Sequence, residues 1–269
     1  MLITNFTPAF LLALCIVFPA YKIGLLTRSG AVTAVLIGTV VHGSTGWFGT
    51  LALLTFFISS AALARHRRKT LPSADTVAAK GERRDAIQVL ANGGVAALCG
   101  VMTLVTKVHP VWDAALLGAI AASMSDTWST EIGRTYGSQP KDWFTRKPVV
   151  LGTSGGITLI GSLGGLAGAI CLATVGWVSV PNWQLANPIS FATMVGGMSG
   201  CAIDTVLGST FQELRRCALC STKTEHNYHC GKRTRLYRGF RGFTNDAVNL
   251  VCSMVGAITS GTIMLVLTQ

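Results

Sequence analysis

The chain has 269 residues, half of them hydrophobic and only 12% charged, with a mean hydropathy of +0.50. A soluble domain carries about 25% charged residues, so the composition sets aside an ordinary soluble domain and points to an integral membrane protein. The formal charge of +11 raises nucleic acid as a partner, and the placement of the cations decides that question.

Apolar runs fall at 6–21, 30–42, 46–64, 86–106, 111–133, 152–179, 188–212 and 245–267. They predict an all-α integral membrane protein of about eight transmembrane segments, one multi-pass domain over 1–269. The first run lacks a basic leader region and is expected to stay in the protein. The second is shorter than the roughly 20 residues that span a bilayer. It is a tilted or partly re-entrant piece, or it extends back through Leu25 and Leu26. Thirty glycines suit helices that approach closely.

The loops set the expected topology. With the N-terminus outside and eight crossings, the C-terminus is outside too. The inner loops then hold Lys22 and Arg28; Arg65, Arg67, Arg68, Lys69, Lys80, Arg83 and Arg84; Arg134, Lys141, Arg146 and Lys147; and Arg215, Arg216, Lys223, Lys232, Arg233, Arg235, Arg238 and Arg241. Every basic residue except Lys107 lies on that side, as the positive-inside rule asks. The basicity therefore marks a cytoplasmic face (stromal in a plastid), and nucleic acid is not expected as a partner.

The fourth segment opens Gly81-Glu82-Arg83-Arg84-Asp85 and runs on to Asn92-Gly93-Gly94. Asp85, Gln88 and Asn92 share one helix face at i, i+3, i+7. Such a stripe serves either interhelical hydrogen bonds or a water-filled cavity. The fifth segment ends SMSDTWSTEIG. Asp126 and Glu131, five residues apart, diverge by about 140° on an ideal helix, so meeting at one ion predicts a distorted turn between Thr127 and Gly133. Carboxylates in such positions hold Mg²⁺ on phosphates, or else they pair with Arg134 or Lys147.

Next come Arg146, Lys147 and the turn Gly152-Thr153-Ser154-Gly155-Gly156, read as opening the sixth segment. Free amides at a helix start bind anions; alternatively Thr153 or Ser154 is only a helix cap. The seventh segment carries Asp204, Gly208 and Gln212 on one face, and its Asp204-Thr205 pair resembles Asp126-Thr127. The eighth opens Asn245-Asp246, with Asn249 one turn on. By this topology Asp85, Asp126, Glu131, Asp204 and Asp246 gather at one depth near the inner surface, and ionisable groups within membrane segments are usually functional.

The cytoplasmic loop 213–243, inserted between the last two segments, contains Cys217, Cys220, His226, His229 and Cys230. Three thiolates and an imidazole suit tetrahedral Zn²⁺; the other reading is reduced, unligated cysteines, since cytoplasmic disulfides are disfavoured. The remaining cysteines lie in apolar runs and behave as small hydrophobes.

QVLANGG, SDTWSTEIG, TRKPVVLGTSGG, CAIDTVLGSTFQ, the CALC…HC loop and FTNDAVN, in this order, resemble the blocks of the integral-membrane family typified by transmembrane protein 19, which includes the plant phytyl-phosphate kinase. The acid, glycine and lysine arrangement is also similar to dolichol and phytol kinases. The resemblance implies an isoprenoid (phytyl or polyprenyl) monophosphate kinase using CTP or another nucleoside triphosphate. It implies Mg²⁺ on Asp126 and Glu131, and nucleotide phosphates on Lys147 and the Gly152–Gly156 turn, beside Arg146 and Arg134. Asn92, Asp204 and Asp246 would complete the metal and acceptor site, with Asn245 and Asn249 among the phosphate-binding residues. Two other classes remain open: a lipid-phosphate or anion transporter, which expects its charges near the bilayer centre, and a scaffold that docks a partner through the cysteine loop.

Overall fold

A computed structural model describes residues 6–71, 83–106, 109–180 and 182–269. Lys80, Gly81, Glu82 and Lys107 lie outside the described residues. Eight long helices are present among those described: α1 (Phe6–Lys22), α2 (Arg28–Thr45), α3 (Trp47–Thr70), α4 (Ala86–Thr106), α5 (His109–Tyr136), α6 (Leu159–Ser179), α7 (Ala186–Thr210) and α8 (Asn245–Leu267). Of these, α3, α4, α6, α7 with the 3-10 turn before it, and α8 are long and apolar enough to cross a membrane. The expected count of about eight spans is thus met by length and hydropathy at five helices. Exposed side chains along the helices are apolar, as at Val32, Leu36, Ile58, Leu98, Leu163 and Ile258. A surface of this kind faces lipid rather than water.

The central element is α5. Every residue from 114 to 125 is buried, so this helix needs no lipid-compatible face. Around it the helices are joined through small residues. A side chain at Gly256 of α8 would run into the Gly118 carbonyl and Ala122 of α5, and one at Gly200 of α7 would meet Ala122. Hydroxyls stitch the same contacts. Ser123 Oγ and Ser253 Oγ lie 2.9 Å apart, and Ser253 Oγ donates to the Ala91 carbonyl at 3.0 Å. Ser260 Oγ donates to the Ala192 carbonyl at 2.8 Å. Close packing and interhelical hydrogen bonds are the forces available between helices in lipid.

The fold departs from all-α in two loops. Between α5 and α6, β1 (Lys141–Asp142) pairs antiparallel with β2 (Gly156–Ile157). Between α7 and α8, β3 (Leu214–Arg216) pairs with β4 (Lys223–Thr224) and β7 (Arg235–Arg238), while β5 (Tyr228–His229) pairs with β6 (Lys232–Arg233). The α6 helix begins at Leu159, not at 152. Thr158 caps it, its side chain accepting from the Gly161 N–H at 3.0 Å. The glycine turn therefore precedes β2 instead of forming a helix start, and the anion-binding argument from a helix terminus does not apply to it.

Candidate functional site

A cavity of about 630 Å³ opens at one end of the bundle, within the range of small-molecule sites. Its walls come from the last third of α5, the start of α4, the end of α7, the start of α8 and both β-bearing loops. Asn92, Asp126, Glu131, Arg134, Gly152, Thr153, Ser154, Gly155, Gly156, Asp204, Asn245, Asp246 and Asn249 all line it. Sequence-distant residues from five regions thus share one space.

The distorted turn expected in α5 is absent; the helix is continuous from His109 to Tyr136. Asp126 does not need to meet Glu131, because Asp204 comes to it from α7. The two carboxyl groups meet at hydrogen-bonding distance. Each is followed by a threonine that bonds back to its own helix, Thr127 Oγ1 to the Ser123 carbonyl and Thr205 Oγ1 to the Cys201 carbonyl. Asp204 Oδ2 is buried and has no hydrogen-bond partner among the described residues. Two adjoining carboxyl groups with an orphaned buried oxygen fit a hard divalent cation with oxygen ligands.

Glu131 takes another partner. Arg67, at the end of α3, donates from Nε to Glu131 Oε2 at 2.6 Å, with both side chains largely buried. The ion-pair alternative therefore holds for Glu131, through a cation that the sequence does not single out. Asp85 does not line the cavity. It accepts from the Gln88 N–H at 2.9 Å while Gln88 Oε1 accepts from the Asp85 N–H at 3.0 Å. This reciprocal pair is a capping box for α4, so Asp85 starts the helix that presents Asn92. Asn92 Nδ2 donates to the Gln88 carbonyl at 2.9 Å.

Arg84 also lines the cavity. Its backbone is fixed by the α1–α2 connection: Arg84 N–H donates to the Leu25 carbonyl, and Thr27 N–H donates to the Arg84 carbonyl, each at 3.0 Å. Its guanidinium sits 5.6 Å from the ring centroids of both Phe56 and Phe57, a distance at which cation–π attraction acts. Behind it lies a second, apolar slot of about 130 Å³ between α1, α2, α3 and α4. Phe56, Arg84, Gln88 and Asn92 line both spaces.

The roof of the cavity is the 152–156 turn. Gly152 and Gly155 have φ of +83° and +78°, conformations that glycine adopts without a Cβ penalty. Gly155 lies against the backbone of Ser209, and Gly152 lies 3.3 Å from the Arg134 guanidinium at its would-be Cβ. Arg238 of β7 fastens the turn: Nη2 donates to the Ser154 carbonyl at 3.1 Å and to the Gly208 carbonyl at 2.6 Å, and Nη1 reaches Asp142 Oδ2 at 3.4 Å. Ser154 Oγ donates to Glu225 Oε1 at 2.6 Å, and Gln212 Nε2 donates to the same oxygen at 2.8 Å.

Arg146 and Lys147 stand outside the cavity, both exposed. Arg146 adopts a left-handed φ of 56° and stacks its guanidinium 4.8 Å from the Trp143 ring centroid. The tongue that carries them is folded by Asp142, whose Oδ1 accepts from Phe144 N–H, Thr145 N–H and Thr145 Oγ1. Burial pushes the Asp142 carboxyl up, but these bonds and Arg238 outweigh it and hold the group below the usual carboxylate range.

In the 213–243 loop, Cys217, Cys220, His229 and Cys230 place their ligand atoms within 4.8 Å of one another. His226 is not in that group; its carbonyl accepts from Thr234 Oγ1 at 2.7 Å. Sequence reasoning missed Arg67, Arg84 and Glu225. The first two are lost among many loop cations. Glu225 carried a usable signal, as the sole acid between Glu213 and Asp246.

Apolar helices around a polar cavity at one end of the bundle are the architecture of a multi-pass membrane protein. The chain belongs to the family "Integral membrane protein DUF92", whose model matches residues 11–257. This agrees with the resemblance drawn from the sequence blocks. It is 29% identical over 264 residues to Protein PGR of Arabidopsis thaliana, covering 90% of each chain. It is 29% identical over 209 residues to an uncharacterized membrane protein of Synechocystis, covering 76% of this chain and 78% of that one. Protein VTE6, chloroplastic, of Arabidopsis thaliana is 25% identical over 240 residues, which are 87% of this chain and 64% of that protein. No solved structure matches the chain.

Proposed function

We propose that this protein is a membrane kinase for an isoprenoid monophosphate, phytyl or polyprenyl, taking its phosphoryl group from CTP or another nucleoside triphosphate. The observation that carries this reading is the shared wall of the two spaces. Arg84, Gln88 and Asn92 stand where an apolar slot opens into a polar cavity. A lipid phosphate has the same division, and Arg84 suits its anionic head at the junction. The slot is lined almost wholly by apolar side chains and suits the start of a hydrocarbon tail, the rest of the tail lying in the bilayer. The resemblance to phytyl-phosphate kinase supports the same class of chemistry.

The nucleotide enters under the roof turn, with Arg134, Thr153 and Ser154 beside its phosphates. Asp126 and Asp204, with Glu131 across the cavity, would hold magnesium, which would supply positive charge to those phosphates. Arg67 fixes the Glu131 carboxylate. Arg84 and Asn92 orient the acceptor so that its phosphate oxygen attacks the terminal phosphorus; the bond to the bridging oxygen breaks and nucleoside diphosphate leaves. The acceptor is already anionic, so no strong base is needed, and positioning with charge neutralisation does the work. Asp246, Asn245 and Asn249 close the α8 side. The loop cations support a cytoplasmic or stromal side for this end.

The stretch 114–125 of α5 is wholly buried beneath the cavity, which supports the kinase over a transporter with an open mid-membrane path. Purified protein with phytyl phosphate, labelled nucleotide and Mg²⁺ is expected to make the diphosphate, and Asp126→Asn to lower kcat by about 10³-fold. Absence of diphosphate with every prenyl phosphate and nucleotide tried sinks the reading. Uptake of lipid phosphate by proteoliposomes without nucleotide turnover supports a transporter instead.

A further inference from the structure

We propose that Cys217, Cys220, His229 and Cys230 bind one structural zinc ion, and that this ion pins Glu225 in the cavity wall. The distances fit the metal. Cys220 Sγ and Cys230 Sγ are 3.7 Å apart, and His229 Nδ1 lies 3.3 Å and 3.2 Å from them. Tetrahedral zinc with its usual bonds sets S···S at about 3.8 Å and S···N at about 3.5 Å. Cys217, Cys220 and Cys230 are all free thiols, not a disulfide.

The backbone is shaped for the same purpose. Cys217 directly follows β3, and the chain turns at once, Ser221 N–H donating to the Cys217 carbonyl at 3.1 Å. Ser221 has a left-handed φ of 60°, and Cys230 and Gly231 repeat that conformation at 51° and 72° in the β5–β6 turn. Two tight turns thus present ligands toward a common point. Leu219 N–H points at Cys217 Sγ from 3.4 Å, the kind of outer contact that orients a metal-bound sulfur. Three thiolates and a divalent ion carry one net negative charge, and Arg216, Lys232 and Arg233 surround it in sequence.

Position along the chain gives the ion its consequence. Glu225 lies between Cys220 and His229, so the metal closes a short loop around it. From that loop Glu225 accepts the bonds from Ser154 and Gln212 that join the cysteine loop to the roof turn. Releasing the ion removes that closure and leaves the segment held by the short β3–β4 and β5–β6 pairings and by the bonds from Thr234. Zinc binding and loop pinning are independent of what the cavity takes.

The test uses the full-length protein purified without a histidine tag in reducing buffer. Metal analysis is expected to find one zinc per chain, and cobalt exchanged into the site to give a thiolate charge-transfer band. Cys220→Ser with Cys230→Ser loses both, whereas Cys171→Ser, in α6, keeps both. Chelation of zinc from the wild type is expected to speed tryptic cleavage after Lys223 and Arg233 at least about tenfold, leaving the helices intact. Protein without stoichiometric zinc and without the cobalt band, or with a Cys220–Cys230 disulfide in reducing buffer, overturns the site. Zinc removal with no change in cleavage overturns the pinning of Glu225.

Discussion

The same three helices, α5, α7 and α8, behave in opposite ways along their length. In the middle of the bundle they touch through Gly118, Ala122, Gly200 and Gly256, and nothing but a hydroxyl fits between them. Two turns further along α5 they part around a cavity lined by Asp126, Glu131, Asp204 and Asp246. Small residues let helices close; carboxylates and arginines need partners and hold them open. The packed middle thus supplies the floor on which the open end is built. A buried charge is tolerated there because a partner, an ion or water meets it.

Filling the closed region should have the largest effect. Gly256→Leu forces α8 off the Gly118 carbonyl and Ala122, and is expected to cost about 3 kcal/mol, at the upper end for overpacking; thermal unfolding in detergent reads it. Removing a cation at the open end should spare the fold. Arg84→Ala is expected to raise KM for the lipid phosphate roughly 10- to 100-fold, the loss of a charge-assisted bond, with the unfolding temperature little changed. Lys147→Ala, outside the cavity, should leave both constants within about twofold. If Lys147 proves as costly as Arg84, the cavity boundary is wrongly drawn.

A smaller effect on stability than that of Gly256→Leu is expected at Asp142 in the tongue. Asp142→Asn removes a charged acceptor of three bonds and the partner of Arg238, at about 1 kcal/mol. Because the folded state holds this carboxyl below its usual range, its stabilisation is complete above the unfolded value of about 3.9 and fades as pH falls below it. The gap between wild type and variant should therefore be full at neutral pH and close in acid.

Much of this division was legible in the sequence. Apolar runs located all eight helices, and the loop cations indicated which end would be polar. Asn92, Asp126, Asp204 and Asp246 stood out as polar groups where lipid or packing should exclude them. The pairing was not legible. The family resemblance set Asp126 with Glu131 although their spacing diverges on a helix, whereas tertiary packing sets Asp126 against Asp204 and gives Glu131 to Arg67. The only hint lay in the matching Asp-Thr pairs. Arg67 and Arg84 were hidden because a cation needed for topology and a cation needed in a cavity look the same in a string of letters. The helix start at 158 was missed because Gly152–Gly156 reads equally well as a cap or as a strand turn.

Arg238 also has a bearing on how the protein is made. It joins the Ser154 and Gly208 carbonyls to Asp142, a partner 96 residues earlier in the chain. During synthesis the roof turn emerges long before the side chain that fastens it, and the α8 wall, with Asp246 and Asn249, emerges later still. The cavity is thus among the last features to be completed, after the packed middle has most of its helices. A chain that stalls before α8 carries acids and arginines at the membrane edge with no finished enclosure around them, a form that quality control can distinguish from the completed protein.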